Sequence, residues 1–303
     1  NQGEPADRGN PEAPWFAWVS FSRPHSPLTP SEPFASMYSP DKITLPPSAS
    51  SDVIASQPNR IRQVPRTNQA PLPGDVELML SAYLGLVSQV DYGIGLILEE
   101  LEKLEHLENT IIVFSADHGD YAGEHGLWSK WGGISSRAIT RIPMIVHYPK
   151  SVVSGCVTNE IIESIDLFPT LCELVGLPIP DHIQGMSFMS LLENDLQPIR
   201  ESALTENAYR KALATKEWRY VANTGDQPDE LYDQLNDPWE VNNLIDEPQY
   251  THVVQQLSRE LLSRMAFARR PITLFDDANW QHDYDRDGRT PYPQSYRSSD
   301  THI

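Results

Sequence analysis

Between Val76 and Leu107 the apolar positions Leu80, Leu84, Val87, Ile94, Leu98 and Leu101 fall at three- and four-residue steps, or double steps, the stripe of an amphipathic helix. Asp91 falls on the same stripe, so its carboxylate is either hydrogen-bonded inside a core or aimed at the edge of a site; the structural role is the expectation. Asn109 closes the helix, and Thr110–Ala116 (TIIVFSA) is apolar on both faces, the composition of a central parallel strand. Trp15–Phe21 (WFAWVSF) reads as another buried strand, stopped by Arg-Pro-His-Ser-Pro so that its end delivers His25 onto a loop. Prolines and serines from Pro24 to Pro73 predict extended loop with little helix.

Pro143–Tyr148 (PMIVHY) predicts a further strand, and Ile161–Ile165 has the composition of a third. Asp166 is placed to cap a helix running through Leu174, with Pro169 tolerated in its first turn and Gly176 ending it. Strand and helix in alternation imply an α/β sheet with helices on its faces. After about Arg200 the texture changes: Leu213–Ala214, Trp218–Ala222 and Glu230–Tyr232 read as short strands between polar turns, followed by a helix over Gln249–Phe267. The expected organisation is an α/β core over residues 1–195, a small α+β subdomain over 196–268 and a polar tail over 269–303.

Charge removes one class of function. The 303 residues carry 42 acids against 23 bases, a formal charge of −19, and a general nucleic-acid binder needs a positive surface. No run approaches the roughly 18 apolar residues of a membrane span, so a soluble protein is expected. Cys156 and Cys172 are the only cysteines and form no C-x-x-C pair, which argues against a zinc ribbon or a disulfide scaffold. Asn1–Pro14 has neither a basic start nor an apolar core, so no signal peptide is expected there.

The chemistry concentrates at Phe114–Lys130 (FSADHGDYAGEHGLWSK), immediately after the apolar run. In open α/β sheets, ligands bind beyond the carboxyl ends of strands, where Asp117 and His118 sit. An adjacent carboxylate and imidazole fit a divalent cation, with Ca²⁺ or Mg²⁺ favouring the oxygen and Mn²⁺ or Zn²⁺ tolerating the nitrogen. An isolated Asp-His-Gly more often forms a turn that caps the next segment, and the dipeptide alone is weak evidence for a metal. Lys130 adds a cation to the same loop, and His125, beside Glu124, divides between substrate contact and loop packing.

Taken with Arg141–Pro149 (RIPMIVHYP), Phe16–Pro30 (FAWVSFSRPHSPLTP), Ile165–Gly185 and Glu230–Leu244, this stretch closely resembles the sulfatase family of the alkaline phosphatase superfamily, motifs in order from Trp15 to about Asp246. The resemblance implies an alkaline phosphatase-like α/β fold with a mixed, mostly parallel sheet, and hydrolysis of sulfate esters by a sulfuric ester hydrolase. It implies that Asp117 and His118 complete a divalent metal site, usually calcium with Mg²⁺ or Mn²⁺ as alternatives, and that His25 and Lys130 contact the sulfate and assist the leaving oxygen. It also points to a periplasmic or secreted setting and to sulfated carbohydrate among the substrates. Arg141 is expected to pair with a core acid.

Part of the family pattern is missing. The family's nucleophile is a formylglycine made from Cys-x-Pro-Ser-Arg or Ser-x-Pro-Ser-Arg, and neither occurs: Cys156 precedes Val157-Thr158, Cys172 precedes Glu173-Leu174, and Ser31-Glu32-Pro33 continues Phe34-Ala35. The early Asp-Asp pair of the metal site is absent too. The chain is therefore expected to be a C-terminal portion of a sulfatase, inactive alone, whose partner is the missing N-terminal segment. Loss of the first strands should leave an exposed sheet edge. Two alternatives stand beside it: a phosphodiester or phosphonate monoester hydrolase of the same superfamily, and a non-catalytic fragment that binds sulfated glycans, which the acidic charge disfavours. Finally, Asp283-Tyr-Asp285-Arg-Asp287-Gly288 matches the first half of an EF-hand loop, but Gln294 stands at the twelfth position and Pro291 and Pro293 obstruct an exit helix; a solvated acidic tail is the competing reading.

Overall fold

A computed structural model describes residues 13–56, 75–130, 136–195, 197–207, 210–223 and 228–268. The chain divides into two compact units, residues 1–110 with 117–133, and residues 111–116 with 134–303. The acidic loop at Asp283–Gly288 and the whole predicted tail lie outside the described residues.

The first unit is built on one long helix. Helix α1 (Ser51–Ser56) is a short turn, and α2 (Asp75–Lys103) carries the predicted helical stripe. The face of α2 that is buried is not the leucine stripe but Ser81, Gly85 and Leu86, about one residue further round. The reason is the partner: the proline-rich loop lies against the helix closely enough that a Cβ on Gly85 would stand 2.6 Å from the carbonyl oxygen of Phe34. Small residues admit such a backbone where leucines would not. Tyr38 and Ser88 share a hydrogen bond at 2.7 Å, and the Phe34 and Tyr92 rings pack with centroids 5.8 Å apart. This rotation leaves Asp91 exposed, so the expected core carboxylate faces solvent. By length and composition α2 is also long and apolar enough to cross a membrane, which the sequence reading denied of every segment. Within this unit its contacts are those of a packing helix.

Trp15–Phe21 is not the predicted buried strand. It runs without a ladder and is exposed throughout, Trp18 at 82 %. Composition favours a strand there, but a strand exists only when another backbone takes up its N–H and C=O groups, and none among the described residues does.

In the second unit, β1 (Ile112–Ser115) pairs with β2 (Met144–His147) in register Ile112 to His147, antiparallel. The sequence predicts a parallel strand here because composition reports burial on both faces and says nothing about direction. No parallel ladder lies among the described residues. Helix α3 (Arg137–Thr140) precedes β2, and Arg141 after it is exposed rather than paired in a core. Ile161–Ile165 forms no strand; it leads into a 3₁₀ turn at Ser164–Asp166 and then α4 (Leu167–Leu174). Asp166 does not cap α4 forward. Its Oδ2 reaches back to accept the Glu163 N–H at 2.7 Å, half of a capping box, so the helical segment starts one turn earlier than predicted. Gly176 ends α4 as expected, at φ 71° with Leu177 N–H donating to Cys172 at 2.8 Å.

A short α5 (Met189–Leu192) leads to a four-stranded antiparallel sheet of β3 (Ala203–Glu206), β4 (Arg210–Ala214), β5 (Trp218–Asn223) and β6 (Glu230–Asp233), in that order. Pairing places Leu213 opposite Tyr220 and Tyr220 opposite Leu231, so one face of the sheet is a continuous apolar row. Helix α6 (Thr251–Ala268) lays Val253, Leu257 and Leu261 on that row. The other face is tied by a buried ion pair, Arg219 Nε to Glu240 Oε1 at 2.9 Å, whose second oxygen accepts Ser136 Oγ at 2.9 Å. A second network joins Glu163, Asp166, Arg200 and Arg264. Cys172 is buried and Cys156 half-buried, both as free thiols.

Candidate functional site

From Asp117 to Gly133 the chain belongs to the first unit, and it turns at once into a tightly wound loop. Ala122, Gly123, His125, Gly126 and Ser129 all have positive φ, between 46° and 98°. Two of these positions need glycine for space as well as for φ: a Cβ on Gly123 would meet Val76 of α2 at 2.7 Å, and one on Gly126 would meet Ile54 of α1 at 3.1 Å. Tyr121, Leu127 and Trp128 are buried beneath the loop, and Trp128 meets Tyr83 of α2 edge-on with ring centroids 6.5 Å apart. Packing thus anchors the loop's interior while its two ends stay accessible.

Those ends bring three predicted residues together. Asp117 Oδ1 accepts the His118 N–H at 2.9 Å, and its Oδ2 lies 3.6 Å from His118 Nε2. His118 Nδ1 is 2.7 Å from the carbonyl oxygen of Gly119, which can only accept, so Nδ1 carries the proton. The lone pair of a neutral ring is then on Nε2, where Lys130 Nζ donates to it at 2.9 Å. Asp117 is 86 % exposed on its side chain, open to a ligand. His25 is exposed and follows the same tautomer rule, its Nδ1 donating to Ser26 O at 2.9 Å, which leaves the lone pair of a neutral ring on Nε2.

A further acid of the same loop, unassigned in the sequence, is Asp120. Asp120 Oδ1 accepts both the Ala122 N–H at 2.8 Å and the Ser129 N–H at 2.9 Å. Burial pushes the Asp120 carboxyl up, against those two N–H groups and the positive fields of His118 and His25, which hold it down. The same carboxylate, with burial the larger cause, raises the Tyr83 hydroxyl to about 12. Asp120 is therefore where His25 and His118 share an electrostatic neighbour. The sequence signal was weak: one more acid in an acidic, glycine-rich loop.

Of the two readings of His125, the geometry favours loop packing: its ring is 1 % exposed and packs edge-on against Tyr121, 6.4 Å between centroids.

Asp117 and His118 fit two positions of a divalent cation. One carboxylate oxygen and one imidazole lone pair stand 3.6 Å apart, and the other ring nitrogen is fixed by a backbone carbonyl, the usual outer support of a metal-binding histidine. Among the described residues no group of three or more His, Cys, Asp or Glu side chains could hold a metal, so a cation held by Asp117 and His118 would need further ligands from outside them.

Residues 6–177 match the Sulfatase family model, and residues 123–266 match that of the N-sulphoglucosamine sulphohydrolase C-terminal region. The chain belongs to the sulfatase family. It is 27 % identical over 265 residues to an arylsulfatase of Clostridium perfringens, covering 85 % of this chain and 55 % of that protein. An N-acetylglucosamine-6-O-sulfatase of Bacteroides thetaiotaomicron is 31 % identical over 192 residues, covering 59 % of this chain and 34 % of the relative. Among solved structures, the phosphonate monoester hydrolase of Silicibacter pomeroyi superposes with a TM-score of 0.75 at 25 % identity, covering 86 % of this chain and 57 % of that one. The fold is thus of the alkaline phosphatase type that the sequence led us to expect. The chain spans about half the length of the curated relatives it matches.

Proposed function

We propose that this chain forms part of a sulfuric ester hydrolase, in which it supplies the anion-holding and proton-donating half of the centre. The observation that carries the reading is the cluster of Asp117, His118 and Lys130, with Lys130 Nζ 2.9 Å and Asp117 Oδ2 3.6 Å from one imidazole nitrogen, in a chain of the sulfatase family. Asp117 and His118 hold two ligand positions of a divalent cation, Ca²⁺ by preference, which when bound supplies positive charge to the sulfuryl oxygens. Lys130, whose Nζ lies 2.9 Å from that same imidazole nitrogen, would place a second positive charge beside the sulfate where negative charge develops. His25 keeps its Nδ1 proton on Ser26 O, so only its doubly protonated ring would have a proton on Nε2 to give to the departing alkoxide, an otherwise poor leaving group. A formylglycine nucleophile is supplied by a part of the protein other than these 303 residues.

The relatives that act on sulfated glucosamine support sulfated carbohydrate as the substrate class. The likeness to a phosphonate monoester hydrolase supports a second reading, an enzyme of phosphate or phosphonate esters. Assaying the protein expressed from its whole coding sequence on 4-nitrophenyl sulfate and on a phenylphosphonate ester separates them. We expect the sulfate to turn over with the larger kcat/KM, and a preference for the phosphonate would reverse the order.

A further inference from the structure

The loop that carries Lys130 is strained in a way that the chemistry above leaves unexplained. Ala122, His125 and Ser129 all bear a Cβ, yet stand at φ of 46°, 54° and 61°. Left-handed conformations cost free energy in such residues and persist only where their surroundings hold them. At Ser129 the holding groups are identifiable. Its N–H donates to Asp120 Oδ1 at 2.9 Å, and its carbonyl accepts the Tyr121 N–H at 3.2 Å. The same Oδ1 takes the Ala122 N–H at 2.8 Å, so one oxygen secures both ends of the strained stretch. Ser129 immediately precedes Lys130, and its backbone angles set the direction in which Lys130 leaves the loop to reach His118 Nε2 at 2.9 Å.

We infer that Asp120 is a positioning residue: through Oδ1 it clasps the loop between Ala122 and Ser129 and fixes the Ser129 backbone so that Lys130 points at the anionic group. What Lys130 does there rests on the sulfatase reading, whereas how Asp120 holds it does not. Asp120 is half-buried, which shields its hydrogen bonds in part from competition with water, and Trp128, next to Ser129 in the chain, is itself packed edge-on against Tyr83.

Because both N–H groups use one oxygen, the substitutions separate cleanly. Asp120→Asn keeps an acceptor oxygen in the same place and removes the charge, while Asp120→Ala removes both. In the protein expressed from its whole coding sequence, hydrogen–deuterium exchange should be about tenfold faster at the Ser129 and Ala122 amides in Asp120→Ala and near wild type in Asp120→Asn, since a lost bond opens those amides locally. On 4-nitrophenyl sulfate, kcat should fall roughly 100-fold in Asp120→Ala, the size of loss that misplacing a group by about 1 Å produces, with KM moving less. Asp120→Asn should stay within about threefold of wild type. Unchanged exchange in Asp120→Ala, or an Asn variant as impaired as the Ala variant, overturns the clasp. Should Asp120→Ala fail to fold, the Asn variant decides alone: lost protection at Ser129 overturns the clasp and retained protection supports it. Should the wild type hydrolyse no ester, the sulfatase reading falls, and the exchange comparison still decides for or against the clasp.

Discussion

His118 shows how much a single hydrogen bond settles. By giving its Nδ1 proton to the Gly119 carbonyl it presents Nε2 as the acceptor, and the nearest donor is Lys130. A cation binding at Nε2 must therefore displace an ammonium. Lys130→Met should tighten Ca²⁺ or Mn²⁺ binding about threefold to tenfold by calorimetry, because a unit charge roughly 4 Å away is worth about 1 kcal/mol in water. In the 303-residue chain the binding should still be weaker than micromolar, since two ligands are a fraction of the six to eight that calcium takes. Tyr83 offers a check of the buried loop. Its folded pKa is raised to about 12, so the folded form resists ionisation longer than the unfolded one. Its contribution to stability is whole below the ordinary tyrosine value of about 10 and is lost as pH rises from there through about 12. Ultraviolet titration should show one tyrosinate appearing at the upper end of that window, absent in Tyr83→Phe.

At the scale of elements, the sheet of β3 to β6 and its covering helix α6 hold the second unit by one apolar row. Leu213 is fully buried in it between Tyr220 and helix α6. Leu213→Ala should cost about 2–5 kcal/mol in urea unfolding, the transfer and cavity terms together. Arg219 and Glu240, 3 % and 2 % exposed, lie on the other face. Glu240→Ala strands a buried guanidinium and should cost about 3–5 kcal/mol, whereas removing both partners should recover part of that loss. Much of this unit was legible beforehand. The strands at Trp218 and Glu230 and the final helix stand within a few residues of their predicted ends, because turn residues and helical periodicity act over a few positions. Strand β3 was missed, as its four residues alternate too briefly to register.

For the whole molecule, the missing nucleophile motif and the half-length match to relatives lead to one expectation. The purified 303-residue chain should not hydrolyse 4-nitrophenyl sulfate, and the product of the whole coding sequence should. In the latter, Asp117→Ala should lower kcat/KM about 100-fold or more if Asp117 is, as proposed, a ligand of the cation that organises the charge on the sulfate. Turnover by the 303-residue chain alone would contradict the proposed division of the centre.

What the sequence determined by itself was local: the family motifs and their order, the long helix, the glycine that ends α4, and the three residues at the ends of one loop. Each depends on neighbours within a few positions or on side-chain chemistry that reads the same wherever it is placed. Tertiary structure alone decided the rest. It turned Asp91 to solvent, because a close-lying loop selected the small-residue face of α2. Likewise it buried His125, left Trp15–Phe21 without a partner strand among the described residues, and set Asp120 between two backbone amides nine and two residues ahead. Burial and pairing are relations between segments distant in the chain, and no local pattern contains them.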